Sequence, residues 1–308
     1  MGGSAVLTGS VVPGQTWIRG NVYSADSTAP KNSAGEKYTT SRPAALVNST
    51  GFYYTVTPPS YEEFNVSQVV SVKGVSGYPV AGDGTTDDTA GLQAIINESV
   101  GRVVYFPHEI YILTDTLLIP PGSRLYGEAW TQLSASGSKF ATAKSPRAMI
   151  KVGSPGSVGV AQFTDFLFTL ADVLPGTLMV EVNMAGDKPG SVGFFNCHFR
   201  IGGAKGSKVE NCRRTGTCNA AHISAHLTPS SSVYWENSWS WSADHDLDGG
   251  TSGQPSDGGG FFIESQNGTW MLGIGSGKSD LRDAKLRFER FQKLTTSDNV
   301  QSTTPYIR

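Results

Sequence analysis

Apolar residues along this chain come in short runs cut by Gly, Pro, Ser, Thr and Asp, and one stretch carries a helical period. There a Gly-rich turn, Gly82-Asp-Gly-Thr-Thr-Asp-Asp-Thr-Ala, leads into Leu92, Ile95 and Ile96, an apolar stripe at helical spacing. Thr85 or Thr86 is placed to cap this helix, and Asp87 and Asp88 favour its positive end. Asp83, Asp87 and Asp88 are therefore read as turn and cap residues. A short strand, Val66-Ser-Gln-Val-Val-Ser-Val, precedes the turn. After the helix the period switches to strands: Arg102–Phe106, Ile110–Leu113, Thr116–Ile119 and Ser123–Gly127, with signals recurring every six to ten residues. Residues 1–66 lack sustained periodicity; 24–43 predict a long surface loop and Thr57-Pro-Pro-Ser a linker. Closely spaced short strands fit a sandwich or a parallel β-helix. Asn-Gly and Asp-Gly hairpin signals are scarce, and a helix ahead of the first coil would cap an open solenoid end, so the pattern favours the β-helix.

Composition narrows the class. With 38% hydrophobic residues, a net charge of −2 and only 16% charged residues, the chain reads as globular with no basic patch for nucleic acid. Its 37 glycines among 308 residues suit many turns. No apolar run reaches the roughly 20 residues of a membrane span, and Met-Gly-Gly-Ser-Ala-Val-Leu lacks the features of a signal peptide. Four sequons (Asn48, Asn65, Asn97, Asn267) and the close pair Cys212 and Cys218 suit a secretory setting, so the chain is expected to be extracellular and to begin inside a longer secreted protein. Cys197, within Phe-Phe-Asn-Cys-His-Phe, is expected to be a buried free thiol.

The densest chemistry lies in Trp235-Glu-Asn-Ser-Trp-Ser-Trp-Ser-Ala-Asp-His-Asp-Leu-Asp248, followed by Gly260-Phe-Phe-Ile-Glu264. If Trp235–Asp248 is one extended strand, Glu236, Asp244, Asp246 and Asp248 share a face with Ser238, Ser240 and Ser242. Trp235, Trp239, Trp241, His245 and Leu247 take the other. Lining up like charges on one face disfavours folding, so the run points to function.

Several segments together resemble the fungal exo-β-1,3-glucanases of glycoside hydrolase family 55. They are Gly82-Asp-Gly-Thr-Thr-Asp-Asp-Thr-Ala, Val103-Val-Tyr-Phe-Pro, Tyr111-Ile-Leu-Thr-Asp-Thr-Leu-Leu-Ile-Pro-Pro-Gly-Ser-Arg-Leu-Tyr-Gly-Glu128-Ala-Trp, His198-Phe-Arg-Ile-Gly-Gly203, Ala243-Asp-His-Asp-Leu-Asp248 and the Ile-Glu-Ser after it. The resemblance covers about residues 10–272. It implies an all-β, right-handed parallel β-helix of the pectate-lyase-like kind with one N-terminal capping helix. The family carries two such helices with the active site in the cleft between them. The chain resembles the end of the first helix and a linker (1–66), most of the second (67–275), and then departs into a charged, helix-like tail (276–308), the pattern of a truncated product. The implied activity is inverting hydrolysis of β-1,3-glucan, laminarin included, from the non-reducing end with release of glucose, and Glu264 matches the family's general acid.

An inverting glycosidase needs an acid for the departing oxygen and a base for water, roughly 6.5–9.5 Å apart. Asp246 and Glu264 lie 18 positions apart, close to one short coil, which would set them on neighbouring rungs. Apolar neighbours of Glu264 would keep it protonated. Asp244, Asp246 and Asp248 are the candidates for holding water, with Asp246 central and Glu236 in reserve. Asp-rich turns also bind Ca²⁺ or shape corners, which remains the competing reading. His198 and Arg200, beside the Gly202-Gly203 turn, together with Trp270 and His245, are the candidate substrate contacts. Parity assigns Trp239 and Trp241 to the core and turns His245 away from the acids. His222 and His226 lie four apart, but in a strand-like context with no carboxylate at zinc spacing, so no metal or cofactor is expected. A monomer acting on glucan is the expected state. The competing class is a non-catalytic glucan-binding or structural remnant.

Overall fold

In a computed structural model of the chain, residues 12, 15–22, 29, 31–39, 42–203, 207–209, 219–243, 256–277 and 291–294 are described. The chain divides into two compact units, residues 1–55 and 56–308. In the first, β1 (Gln15–Val22) and β2 (Lys31–Thr39) form an antiparallel pair from Gln15 opposite Thr39 to Val22 opposite Lys31. Residues 31–39 were expected in a loop. All but Ser33 of this strand are exposed, so it presents no apolar alternation from which a strand could be read.

In the second unit the strands are β3 (Val69–Ser71), β4 (Asp83–Asp87), β5 (Val103–Phe106), β6 (Ile110–Leu113), β7 (Leu117–Ile119), β8 (Ser123–Ala135), β9 (Arg147–Val152), β10 (Ala161–Leu170), β11 (Thr177–Val182), β12 (Val192–Phe195), β13 (His198–Ile201), β14 (Asn219–Ala221), β15 (Ile223–Leu227), β16 (Tyr234–Ser242), β17 (Ser256–Asp257), β18 (Phe261–Ile263), β19 (Thr269–Gly277) and β20 (Phe291–Leu294). Every named strand pairing in this unit is parallel. An eleven-stranded sheet and a five-stranded sheet, ordered β18-β15-β11-β9-β7, carry most of them. Parallel neighbours need a return path for the chain. Here that path is itself strand, because the chain passes alternately from one sheet to the other: β9, β10, β11, β12–β13, β15, β16, β18, β19. The scarcity of hairpin signals is thus matched by parallel pairing.

The interior is built from in-register columns. In the larger sheet Val70, Val104, Leu125, Phe163, Phe194, Trp235 and Met271 pair successively. Phe194 stacks on Phe163 at 4.7 Å and on Trp235 at 4.0 Å between ring centroids. In the smaller sheet Ile119, Val152, Val182, Leu227 and Ile263 form a second buried column. Cys197 is buried among these aromatics with its thiol toward the Phe163 and Phe195 carbonyls, and burial pushes its pKa up to about 12, as expected of an inert thiol.

One helix is complete among the described residues, α1 (Thr89–Glu98), and it buries Leu92, Ile95 and Ile96 as the stripe predicted. The capping differs from expectation. Thr85 and Thr86 give their amides and hydroxyls to the Asp83 carboxylate, so neither caps the helix. Asp88 occupies the cap position and accepts instead from the Ala81 and Gly82 amides. Asp87 accepts from the Thr89 amide and from Thr114. All three aspartates serve the turn, as read.

Of the charged tail, Phe291–Leu294 form β20, paired parallel to Thr269–Leu272, where a helix-like run was expected. Cys212 and Cys218 lie outside the described residues.

Candidate active site

The Trp235–Asp248 run does not alternate as one strand. Trp235 is buried in the aromatic column, and Asn237 takes φ +52°. A left-handed residue turns the chain and shifts the alternation by one. Beyond it Ser238, Ser240 and Ser242 are buried; Ser238 accepts from the Trp235 indole N–H and Ser240 meets the Ser224 hydroxyl at 2.7 Å. Glu236 therefore does not share a face with these serines, and Trp239, expected in the core, is 46% exposed. Trp241 is buried as expected, its ring 4.7 Å from that of Trp239.

The same corner recurs along the sheet. Asp165, Asn196 and Asn237 all have positive φ, and register aligns them with each other and with Gly273. The Asn237 amide donates to Asn196 Oδ1 at 2.9 Å, and the Asn196 amide donates to Asp165. Short polar side chains tolerate the left-handed region, and their stacked amides tie successive corners together.

This corner sets an exposed aromatic group. Ala129 and Trp130 are consecutive left-handed residues, at φ +45° and +67°, and the Trp130 indole is 53% exposed. Its edge faces the His198 ring at 5.8 Å. His198 Nδ1 accepts from the Trp239 amide at 3.1 Å, and its Nε2 lies 3.0 Å from Asn196 Oδ1. Burial holds the His198 imidazole below its usual range, opposed by the charge of Asp165. Arg200, in register with Trp241, places its guanidinium 5.9 Å from that ring. His198 and Arg200 thus gather with three indoles on the larger sheet. Trp270 is nearly covered, with Gly268 against its ring, and so has little face for a ligand.

Glu264 follows β18 on the smaller sheet, its amide donating to the Leu227 carbonyl at 2.8 Å. Its Oε2 lies 2.9 Å from Nε2 of His226, 38 positions earlier. The imidazole stacks on Phe262, its register partner, at 4.9 Å and 24°. The carboxylate is 32% exposed and the imidazole 20%. Glu236, on the larger sheet, accepts from the Tyr234 hydroxyl at 2.7 Å; that hydroxyl accepts in turn from the Val56 amide, and burial pushes the Tyr234 phenol up to about 12.

The spacing argument needs correction. Ile263 pairs with Leu227, so the residue in register with Glu264 is Thr228, 36 positions back. Eighteen residues from Asp246 to Glu264 are therefore about half of one such interval, not a rung. Asp244, His245, Asp246 and Asp248 lie outside the described residues. The His226–Glu264 contact was missed because its 38-residue spacing follows from the local interval of 36 between paired strands, and that interval is not periodic in the sequence. Trp130 stood in the Glu128-Ala-Trp segment without an assigned role.

The family model described as rhamnogalacturonase A/epimerase, pectate lyase-like, matches residues 73–165. Among curated proteins the chain is 35% identical to a non-secreted LysM effector of Penicillium expansum, over 89% of this chain and 20% of that protein. It is 33% identical to a probable glucan endo-1,3-β-glucosidase of Arthroderma benhamiae, over 87% of this chain and 31% of that protein. It is 32% identical to a glucan 1,3-β-glucosidase of Cochliobolus carbonum, over 99% of this chain and 39% of that protein. The chain thus spans between about a fifth and two fifths of the length of these relatives. By these matches the chain is a homologue of the fungal glucan 1,3-β-glucosidases, of glycoside hydrolase family 55 type, within the pectate-lyase-like superfamily.

Proposed function

We propose that the chain is an exo-acting β-1,3-glucanase, folded in residues 67–275 as a right-handed parallel β-helix capped by α1, and that it releases glucose from laminarin with inversion. The observation that carries this reading is the half-buried Glu264 carboxyl, held by a partner on the preceding strand, in a chain similar over nearly all its length to proteins named for 1,3-β-glucan hydrolysis. The alternation of the chain between two parallel sheets supports the β-helix. In the reaction Glu264 gives its proton to the glycosidic oxygen, which keeps the electron pair of the broken bond to the anomeric carbon. Water, deprotonated by Asp246 or its neighbours Asp244 and Asp248, with Glu236 in reserve, adds from the opposite face. His198 and Arg200, with Trp239 beside them, and His245 are the proposed substrate side. The protein acts outside the cell as a monomer.

The experiment is incubation of the purified chain with laminarin, following glucose and its anomer by NMR. Release of α-glucose, reduced at least about a hundredfold by Glu264→Gln, is expected; β-glucose, or undiminished release by the variant, overturns the assignment. A second reading, glucan binding without turnover, is supported by the exposed Trp130 and Trp239, which need no acid. Tight laminarin binding with no glucose released would select it.

A further inference from the structure

The outward row of the smaller sheet runs Leu118, Lys151, Glu181, His226 and Phe262, in register across β7, β9, β11, β15 and β18. Its charged members divide into two groups. Lys151 and Asn183 both engage the Glu181 carboxylate, at 3.4 and 2.8 Å. His226 turns to Glu264. His222, just ahead of β15, is held below its usual range by burial and by the charge of His226. Among the described residues these are the titratable groups facing the imidazole. Phe262 stacks on it from one side and fixes its plane, which leaves Nε2 aimed at the carboxyl.

We propose that His226 is the positioning residue of Glu264: its Nε2–H holds one carboxyl oxygen, Oε2, and leaves the other, Oε1, to present the proton to the substrate. The inference rests on the reading of Glu264 as the acid. A carboxyl with one oxygen bound to a ring nitrogen has a fixed rotamer, so its free oxygen keeps one direction. On transfer the Oε1 proton passes to the departing glycosidic oxygen, and the carboxylate left behind keeps the Nε2–H bond at Oε2, strengthened by its new charge.

Two substitutions test the positioning. Gln in His226→Gln can still donate to the carboxylate; Leu in His226→Leu cannot. With laminarin as substrate, His226→Gln is expected to keep kcat within about threefold of the wild type. His226→Leu is expected to lower kcat at every pH by about tenfold or more with KM little changed. A kcat for His226→Leu equal to that of the wild type overturns the proposal, as does a loss in His226→Gln as large as that in His226→Leu, provided all three melt alike.

Ring-nitrogen NMR of the full chain supplies a readout that needs no turnover. The His226 Nε2 proton is expected to be protected from exchange in the wild type and unprotected in Glu264→Gln; a proton indifferent to that substitution also overturns the pairing. If the wild type hydrolyses nothing, the glucanase reading fails on the first assay while the NMR comparison still decides the pair.

Discussion

His198 is the residue on which sequence, structure and titration meet most directly. Held between Trp130, the Trp239 amide and Asn196, it is disfavoured as a cation by burial. Above its unfolded value of about 6.5 the ring is neutral in both states, and its contribution to stability is fully present. As pH falls below that value, the unfolded chain takes up a proton that the folded chain refuses, so stability declines until the lower folded value is passed. Thermal unfolding midpoints should therefore fall between about pH 7.5 and about pH 5.5, and His198→Gln should make the fall shallower. Parallel curves for the two proteins would assign the fall to another group, of which His222, shifted the same way, is the next candidate. Reading such a residue from sequence depends on parity, and parity held only up to Asn237. Trp241 lies in the core as parity assigned it, but Trp239 came out on the wrong side because a single left-handed residue resets the alternation.

At the scale of elements, α1 was legible because its apolar stripe repeats within the helix itself. Its cap was not, because Asp83 competes for Thr85 and Thr86 by closing a turn within three residues. Gly91 makes a sharper test of how the helix seats. It is buried, and a Cβ there would run into the Pro79 carbonyl oxygen and the Val80 side chain. Ala ordinarily stabilises a helix interior by about 1 kcal/mol relative to Gly, yet here the obstacle is backbone that cannot turn aside. Gly91→Ala is expected to destabilise the chain by about 1–3 kcal/mol in urea unfolding; a gain in stability would mean that the loop at Pro79 yields. The β2 strand lies at the opposite limit. With nearly every side chain exposed, only its pairing with β1 defines it, and pairing is not written in one strand alone.

For the molecule as a whole, the stacked columns decide what holds successive strands together. Phe194 is fully buried and sandwiched between Phe163 and Trp235, so Phe194→Ala removes two ring stacks at once and leaves a cavity. A loss of about 3–5 kcal/mol is expected in chemical denaturation, and a loss below about 1 kcal/mol would show that the column collapses to fill the gap. Nothing within Phe-Phe-Asn-Cys announces those partners, which are 31 and 41 positions away. By itself the sequence determined the short strands, the single helical stripe, the buried thiol and the motifs shared with the glucanases, since each depends on residues close together in the chain. Only the tertiary structure decided which strands pair and hence which side chains meet. Paired residues in the smaller sheet stand 30, 45 and 36 positions apart at Arg147–Thr177, Leu178–Ile223 and Ala225–Phe261. Loop length costs little free energy, so the interval drifts freely and leaves no period to read. That drift is why Asp246 and Glu264 looked one rung apart, and why His226, 38 positions from Glu264, is its partner only once the chain is folded.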